Sequence, residues 1–263
     1  MSYTIGMIQQ QNTSWQNVSN WYDKLVGSDG HYYHQHVVIP GLLRLLDLNT
    51  QSSLVDIGCG QGILSRSVPR LSKYLGIDRS GSLIEAAKKI NKNSEYSFIT
   101  KDATKPIVTA QPVFSHAAIV LALQNMEHPE GAIQNAASYL VPGGKLVIVL
   151  NHPAFRIPRQ SGWGIDEKTK QQYRWMNRYA SALKIPITMN PGQKNLGSGE
   201  QITWSFHRSL QDYVQLLAAA GFVITGLEEW SSDKESKGKA AKMENRSRKE
   251  FPLFLTLVAE LRK

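Results

Sequence analysis

Three glycines on alternate positions, Gly58, Gly60 and Gly62, close the apolar run Leu54-Val55-Asp56-Ile57, and further acids follow at Asp78 and Asp102. A short run of this kind bounded by glycine reads as a buried strand. Glycines at its end either take φ > 0 or let a ligand approach the backbone, so a ligand is expected on Gly58 to Gly62. Asp78 lies about 20 residues downstream, where an acid can take ribose hydroxyls. Asp102, near the end of a third apolar run, can accept a hydrogen bond from an exocyclic amine such as that of adenine. Together these residues could hold a nucleoside by backbone approach and carboxylates. Ile63 stands where the dinucleotide fingerprint G-x-G-x-x-G has its third glycine, so a nicotinamide or flavin is off-pattern. The competing reading is a glycine turn whose acids merely cap helices.

Alternating strands and helices would have to carry these residues. Lys73 to Ile77 reads as a second strand ending at Asp78, Tyr96 to Ile99 as a third, and Phe114 to Leu121 as a fourth. A fifth, Leu146 to Leu150, follows the turn Pro142-Gly143-Gly144-Lys145, and Phe222 to Trp230 and Phe254 to Ala259 read as the last two. Pro40 suits the first turn of a helix through Leu48. Ser80 caps a helix from Gly81 to about Lys89, Met126 to Leu140 is a further helix, and Ser209 and Gly221 bound another. Upstream, Trp15, Val18, Tyr22, Leu25 and Val26 recur at helical spacing from about Ser14. This alternation predicts parallel pairing and a layered α/β sheet.

At this point the sequence resembles the class I S-adenosylmethionine-dependent methyltransferases, over most of the chain. Their loop motif, two hydrophobic positions, Asp, a hydrophobic position and Gly-x-Gly-x-Gly, is matched through Gly62. The resemblance implies a single domain over residues 1–263. It would be an α/β, Rossmann-like, doubly wound seven-stranded sheet with the last strand antiparallel. It implies S-adenosyl-L-methionine as cofactor, with Asp56 on the methionine amino group and Gly58, Gly60 and Gly62 forming the loop. Asp78 would take the ribose diol, Asp102 with Ala103 the adenine, and Leu121 would line the cofactor. An N-terminal segment, residues 1–36, would fold over it, with Tyr22 on the cofactor and Tyr33 and His34 on the acceptor side. This cofactor has no phosphate, so close backbone approach and carboxylates suit it.

Between Asn151 and about Ser205 the pattern fails. The stretch holds Pro153, Pro158, Pro186 and Pro191, the aromatics Trp163, Tyr173, Trp175 and Tyr179, and basic residues such as Arg156 and Arg159. An irregular stretch of this length inside a domain is usually functional or disordered. Leaving strand five, it is placed to roof the crevice beyond the strands' carboxyl ends, so residues 152–205 are expected to form an inserted lid over the acceptor. A peripheral oligomerisation arm is the alternative. Should the acceptor need to lose a proton, the candidate catalytic residues are His152, His207 and Gln124. His31, His34 and His36 lack a carboxylate cluster that would complete a metal site, and no metal is expected.

The remaining expectations come from composition. The chain of 263 residues is 41% hydrophobic, and its one cysteine allows no internal disulfide. The longest apolar run, Ala117 to Leu123, is far below the roughly twenty residues that span a bilayer. The start lacks a signal peptide's features, so a cytoplasmic protein is expected. The formal charge of +9 invites a nucleic-acid reading. Residues 233–250 hold seven Lys or Arg and four Asp or Glu, so three of the nine charges sit in one mixed-sign segment suited to an exposed helix. Nucleic acid is therefore not the expected partner. The expected function is methyl transfer to an oxygen, nitrogen or carbon of a small molecule. The alternatives are an RNA-directed methyltransferase or a non-catalytic cofactor-binding scaffold. Oligomeric state is not legible.

Overall fold

The computed structural model describes residues 31–108, 112–188 and 202–262. The strands are β1 (Ser53–Ile57), β2 (Lys73–Asp78), β3 (Tyr96–Thr100), β4 (Phe114–Val120), β5 (Leu140–Asn151), β6 (Ser161–Asp166), β7 (Gln171–Met176), β8 (Leu183–Thr188), β9 (Ile202–His207), β10 (Phe222–Trp230) and β11 (Phe254–Leu261). The helices are α1 (Ile39–Leu46), α2 (Ile63–Ser67), α3 (Gly81–Ile90), α4 (Pro129–Tyr139), α5 (Leu210–Ala219) and α6 (Ala241–Glu250). The predicted helix near Ser14, with Tyr22, lies outside the described residues.

Seven strands form one sheet in the order β10-β11-β5-β4-β1-β2-β3. β1 to β5 run parallel, and β11 is antiparallel to both its neighbours, as expected for the last strand. β1 is buried along its whole length, which a central strand covered on both faces requires. Its side chains alternate between two apolar layers. Val55 and Ile57 pack with Ala132, Ile133 and Ala136 of α4 and with Tyr213 and Leu217 of α5. Leu54 faces the opposite layer, with Leu42 and Leu46 of α1, Leu64 of α2 and Ile84 and Ala87 of α3. Fully burying a Leu or Ile side chain contributes about 1.5–3 kcal/mol, so these alternating rows hold the helices to the sheet. The caps agree with the sequence: the Ser80 hydroxyl accepts from the Leu83 N–H, and Ser209 and Asp212 form a capping box on α5.

Two expectations change. The helix assigned from Met126 begins at Pro129, because the residue before a proline is pushed out of the helical region; His128 has φ −121° and ψ 74°. The described residues within 152–205 are not irregular: they contain two antiparallel strand pairs, β6–β7 and β8–β9. The mixed-charge segment is helical over α6, where the buried Ser247 hydroxyl donates to the Gln172 carbonyl at 3.3 Å and so ties α6 to β7. Among the described residues no helix is long and apolar enough to cross a membrane.

Gly131 in α4 faces the backbone of the loop after β3, and a Cβ there would fall on the Thr104 carbonyl. Glycine to alanine in a helix ordinarily stabilises by about 0.5–1 kcal/mol. Here the clash with backbone dominates, and Gly131→Ala is expected to lower stability by about 1–3 kcal/mol in thermal unfolding. A Tm equal to or above the parent's would contradict this packing.

Candidate active site

The carboxyl ends of β1, β2 and β4 meet at one cavity of about 620 Å³. Small-molecule sites fall in the range of roughly 300–1,000 Å³. The chain leaves β1 through Gly58, whose φ of 78° lies in the left-handed region. Gly58 has no room for a side chain: a Cβ would meet the Ala122 methyl in the loop after β4. Its N–H and that of Cys59 donate to the Ile77 carbonyl, at 2.7 and 3.1 Å, and the Gly60 N–H donates to an Asp78 carboxylate oxygen at 2.9 Å. The other Asp78 oxygen accepts from the Ser80 N–H at 2.8 Å. Burial pushes the Asp78 carboxyl above its ordinary value in spite of these bonds.

Of the cofactor candidates from the sequence, Gly58, Gly60, Asp78, Asp102, Ala103 and Leu121 border this cavity. At Asp102, burial works against the charge. Two hydrogen bonds from Thr104, at 2.7 and 3.0 Å, with Arg79 at 3.7 Å, outweigh it and hold the carboxyl below its usual value. Leu121 has φ 51°, a conformation that strains a non-glycine residue, and it sits on the cavity wall. Its carbonyl accepts from the side-chain amides of Gln124 at 2.9 Å and Asn125 at 3.2 Å, which fix the turn. Gln124 borders the cavity, and so does His34, which begins a π-helical turn, His34–Val38, leading into α1.

Other expected site residues fall elsewhere. Gly62 is not on the cavity; it begins α2 at φ 75°, and a Cβ there would crowd Ser65, Ala87 and Phe98. Its glycine serves helix packing. Tyr33 points away: its hydroxyl shares a hydrogen bond with Ser232 at 3.1 Å, and its ring meets Phe254 edge-on. His152 is buried behind the strand end, with Nε2 2.6 Å from Glu229 and Nδ1 accepting from the Ala154 and Phe155 N–H groups. With both nitrogens committed, it braces the start of the insertion. The His207 Nε2 is 2.7 Å from the Tyr179 carbonyl, beyond the cavity wall. The insertion's aromatics are not on the cavity either; Trp163 packs on Phe251, and Tyr179 accepts from the Leu210 N–H at 3.0 Å. The insertion lines the cavity instead with Pro158, Ile187, Thr188, Thr203 and Ser205. The alternation in Ile202-Thr203-Trp204-Ser205-Phe206 was the sequence signal for the last two.

Asp56 is also displaced from its expected role at the cavity surface. It lies beneath the loop, 2% exposed, and accepts a hydrogen bond from the Tyr74 hydroxyl at 2.5 Å. Burial raises its pKa to about 7, the Tyr74 bond opposing. An acid whose folded pKa exceeds its unfolded value of 3.8 holds its proton more tightly when folded. Its contribution is full at acid pH and is lost as pH rises from about 4 to about 7. Asp56→Asn keeps an acceptor for Tyr74 and removes this loss. The stability of the variant relative to the parent is expected to rise across that window in a pH series of urea unfolding. A difference independent of pH would contradict the assignment.

Comparison with known proteins agrees with this geometry. A family model described as "Methyltransferase domain" matches residues 55–148, from β1 into β5. The chain is 29% identical over 125 residues to a ubiquinone biosynthesis O-methyltransferase of Coxiella burnetii, covering 42% of this chain and 50% of that protein. It thus spans about half the length of the curated relatives it matches. An S-adenosylmethionine-dependent methyltransferase from Mesorhizobium loti superposes with a TM-score of 0.63 at 24% identity, over 84% of this chain and 96% of the other. The N-methyltransferase NodS of Bradyrhizobium japonicum, solved with S-adenosyl-L-homocysteine, gives 0.54 at 15% identity, over 94% and 100%. These solved structures share the fold. The chain thus carries a match to a methyltransferase domain over residues 55–148 and shares its fold with solved S-adenosylmethionine-dependent methyltransferases.

Proposed function

We propose that the protein transfers a methyl group from S-adenosylmethionine to a small-molecule acceptor bound in the same cavity. One observation carries this reading: a left-handed glycine loop and the carboxylates of Asp78 and Asp102 border a single cavity of a methyltransferase fold. The residues fit the cofactor. Gly58 and Gly60 allow close backbone approach, Asp78 takes the ribose hydroxyls, Asp102 with Ala103 takes the adenine edge, and Leu121 supplies an apolar wall. S-adenosylmethionine, when bound, supplies a methyl group made electrophilic by its positively charged sulfur.

The chain's own task is then to exclude water and hold the acceptor in line, since positioning supplies much of the rate in such a transfer. In this reading His34 and the β8–β9 strand pair, both on the cavity wall, cover the acceptor half. His152 and His207 are left out of the chemistry because their partners hold them off the cavity. Gln124, a catalytic candidate from the sequence, borders the cavity and is assigned here to the acceptor side. An RNA acceptor would need a continuous basic track, whereas the one Lys or Arg bordering the cavity, among the described residues, is Arg79, paired with Asp102.

A ligand that binds only the folded state raises its stability by mass action. S-adenosylhomocysteine is expected to raise Tm and NAD to leave it unchanged; the opposite pattern would sink the reading. Asp78→Ala should weaken S-adenosylhomocysteine about ten- to a hundredfold, corresponding to about 1–3 kcal/mol. Because Asp78 also holds the Gly60 N–H, Asp78→Asn, which keeps an acceptor there, serves as the folded control and is expected to weaken binding less. Unchanged affinity in a folded Asp78→Ala variant would remove its ribose role.

A further inference from the structure

The cavity divides by chemistry. Its charged side chains, Asp78, Arg79 and Asp102, all lie where β2 and β3 end, and Arg79 and Asp102 are paired at 3.7 Å. Away from these and from the β1 loop and Leu83 of α3, the wall comes from the turn before α1, the loop after β4, the end of β5 and the insertion. Among the described residues it holds no Lys, Arg, Asp or Glu. Met126, Pro158 and Ile187 give it apolar surface, and amide, hydroxyl and imidazole groups give it polarity.

Three of those polar side chains, His34, Gln124 and Thr203, each have a buried atom without a hydrogen-bond partner among the described residues: Nδ1, Oε1 and Oγ1. Thr203 is 3% and Gln124 8% exposed, so bulk solvent does not satisfy them. Buried polar groups are almost always paired, and leaving one unpaired is costly. That three such side chains border one cavity points to a ligand as the missing partner. Gln124 commits its amide N–H to the Leu121 carbonyl, so its remaining oxygen is purely an acceptor and calls for an O–H or N–H. His34 sits on a π-helical turn, a distortion frequent at functional sites. Burial, with His31 beside it, keeps its pKa below the ordinary value, so it offers no standing positive charge at neutral pH. A charged group brought against this wall would lose its water and gain no counter-ion. A hydroxyl would lose its water and gain waiting partners.

We propose that His34, Gln124 and Thr203 select the acceptor, and that the acceptor is an uncharged molecule presenting hydroxyl groups from an apolar skeleton. This rests on the methyltransferase reading above and adds to it the class of acceptor and the side chains that choose it.

Calorimetry on the full chain tests the two readings separately. S-adenosylhomocysteine is titrated first, and failure to bind removes the methyltransferase reading and this inference with it. With S-adenosylhomocysteine saturating, naphthol, naphthoate, naphthyl phosphate and naphthylmethylamine are compared, since they share a skeleton and differ in charge. Naphthol is expected to bind at least about tenfold more tightly than each charged probe. Thr203→Val, which deletes the hydroxyl at nearly constant shape, should weaken naphthol about tenfold and leave S-adenosylhomocysteine affinity unchanged, as should His34→Leu, which removes the imidazole nitrogens. Equal or tighter binding of a charged probe, or no binding of naphthol, would overturn the proposed acceptor class. Variants that weaken S-adenosylhomocysteine instead would assign these side chains to the cofactor and overturn the inference as well.

Discussion

The hydrogen bond from the Gly60 N–H to the Asp78 carboxylate is the contact on which the site depends. It closes the loop after β1 onto the end of β2, and it can form only because Gly58 turns through a left-handed conformation against Ala122. Three strand ends are thus fixed by one short loop. The sheet order puts β1 between β2 and β4, where the chain's course across the sheet reverses, and open α/β sheets leave a crevice at such a point. The apolar layers on both faces make β1 rigid, so the loop inherits a fixed starting point. Core packing and ligand geometry are therefore the same constraint seen from two ends.

The site divides into a half built by the sheet and a half built by additions to it. Carboxylates belong to the sheet half, on β2 and just after β3, and their pKa values move in opposite directions: burial prevails at Asp78, and the hydrogen bonds from Thr104 together with Arg79 prevail at Asp102. The turn before α1, the loop after β4, the end of β5 and the β8–β9 strand pair supply the other half, with hydroxyls, amides and an imidazole but no carboxylate or cation among the described residues. Such a division suits a fold that keeps one cofactor site and changes its acceptor by changing what covers the sheet, since function resides in sites carried by a fold.

The sheet was legible in the sequence because its signals are local. Strands of five to nine residues bounded by glycine or acid, such as β1, β2 and β10, match their predicted limits within about a residue. The insertion was not, because its strands contain residues that punctuate chains elsewhere. Gly162 and Gly164 lie in β6 since the rings of Trp175 and Tyr173 cross the space their side chains would occupy. Pro186 is tolerated in β8, which has only one strand beside it. Site residues divide the same way. Asp78 and Asp102 follow from strand ends, whereas the fates of His152 and His207 depend on Glu229 and the Tyr179 carbonyl, partners distant in sequence. Asp56 was assigned to the ligand, yet strand alternation already turned it to the Tyr74 side of the sheet.

The central claim is that the crevice over β1, β2 and β4 holds the cofactor. A crystal structure of the protein with S-adenosylhomocysteine tests it most directly. The account predicts the ribose hydroxyls within hydrogen-bonding distance of the Asp78 carboxylate and the adenine beside Asp102 and Ala103, with Gly58 and Gly60 against the methionine end. Ligand density away from these strand ends, or a fully formed crystal complex with the ribose facing solvent, would contradict it.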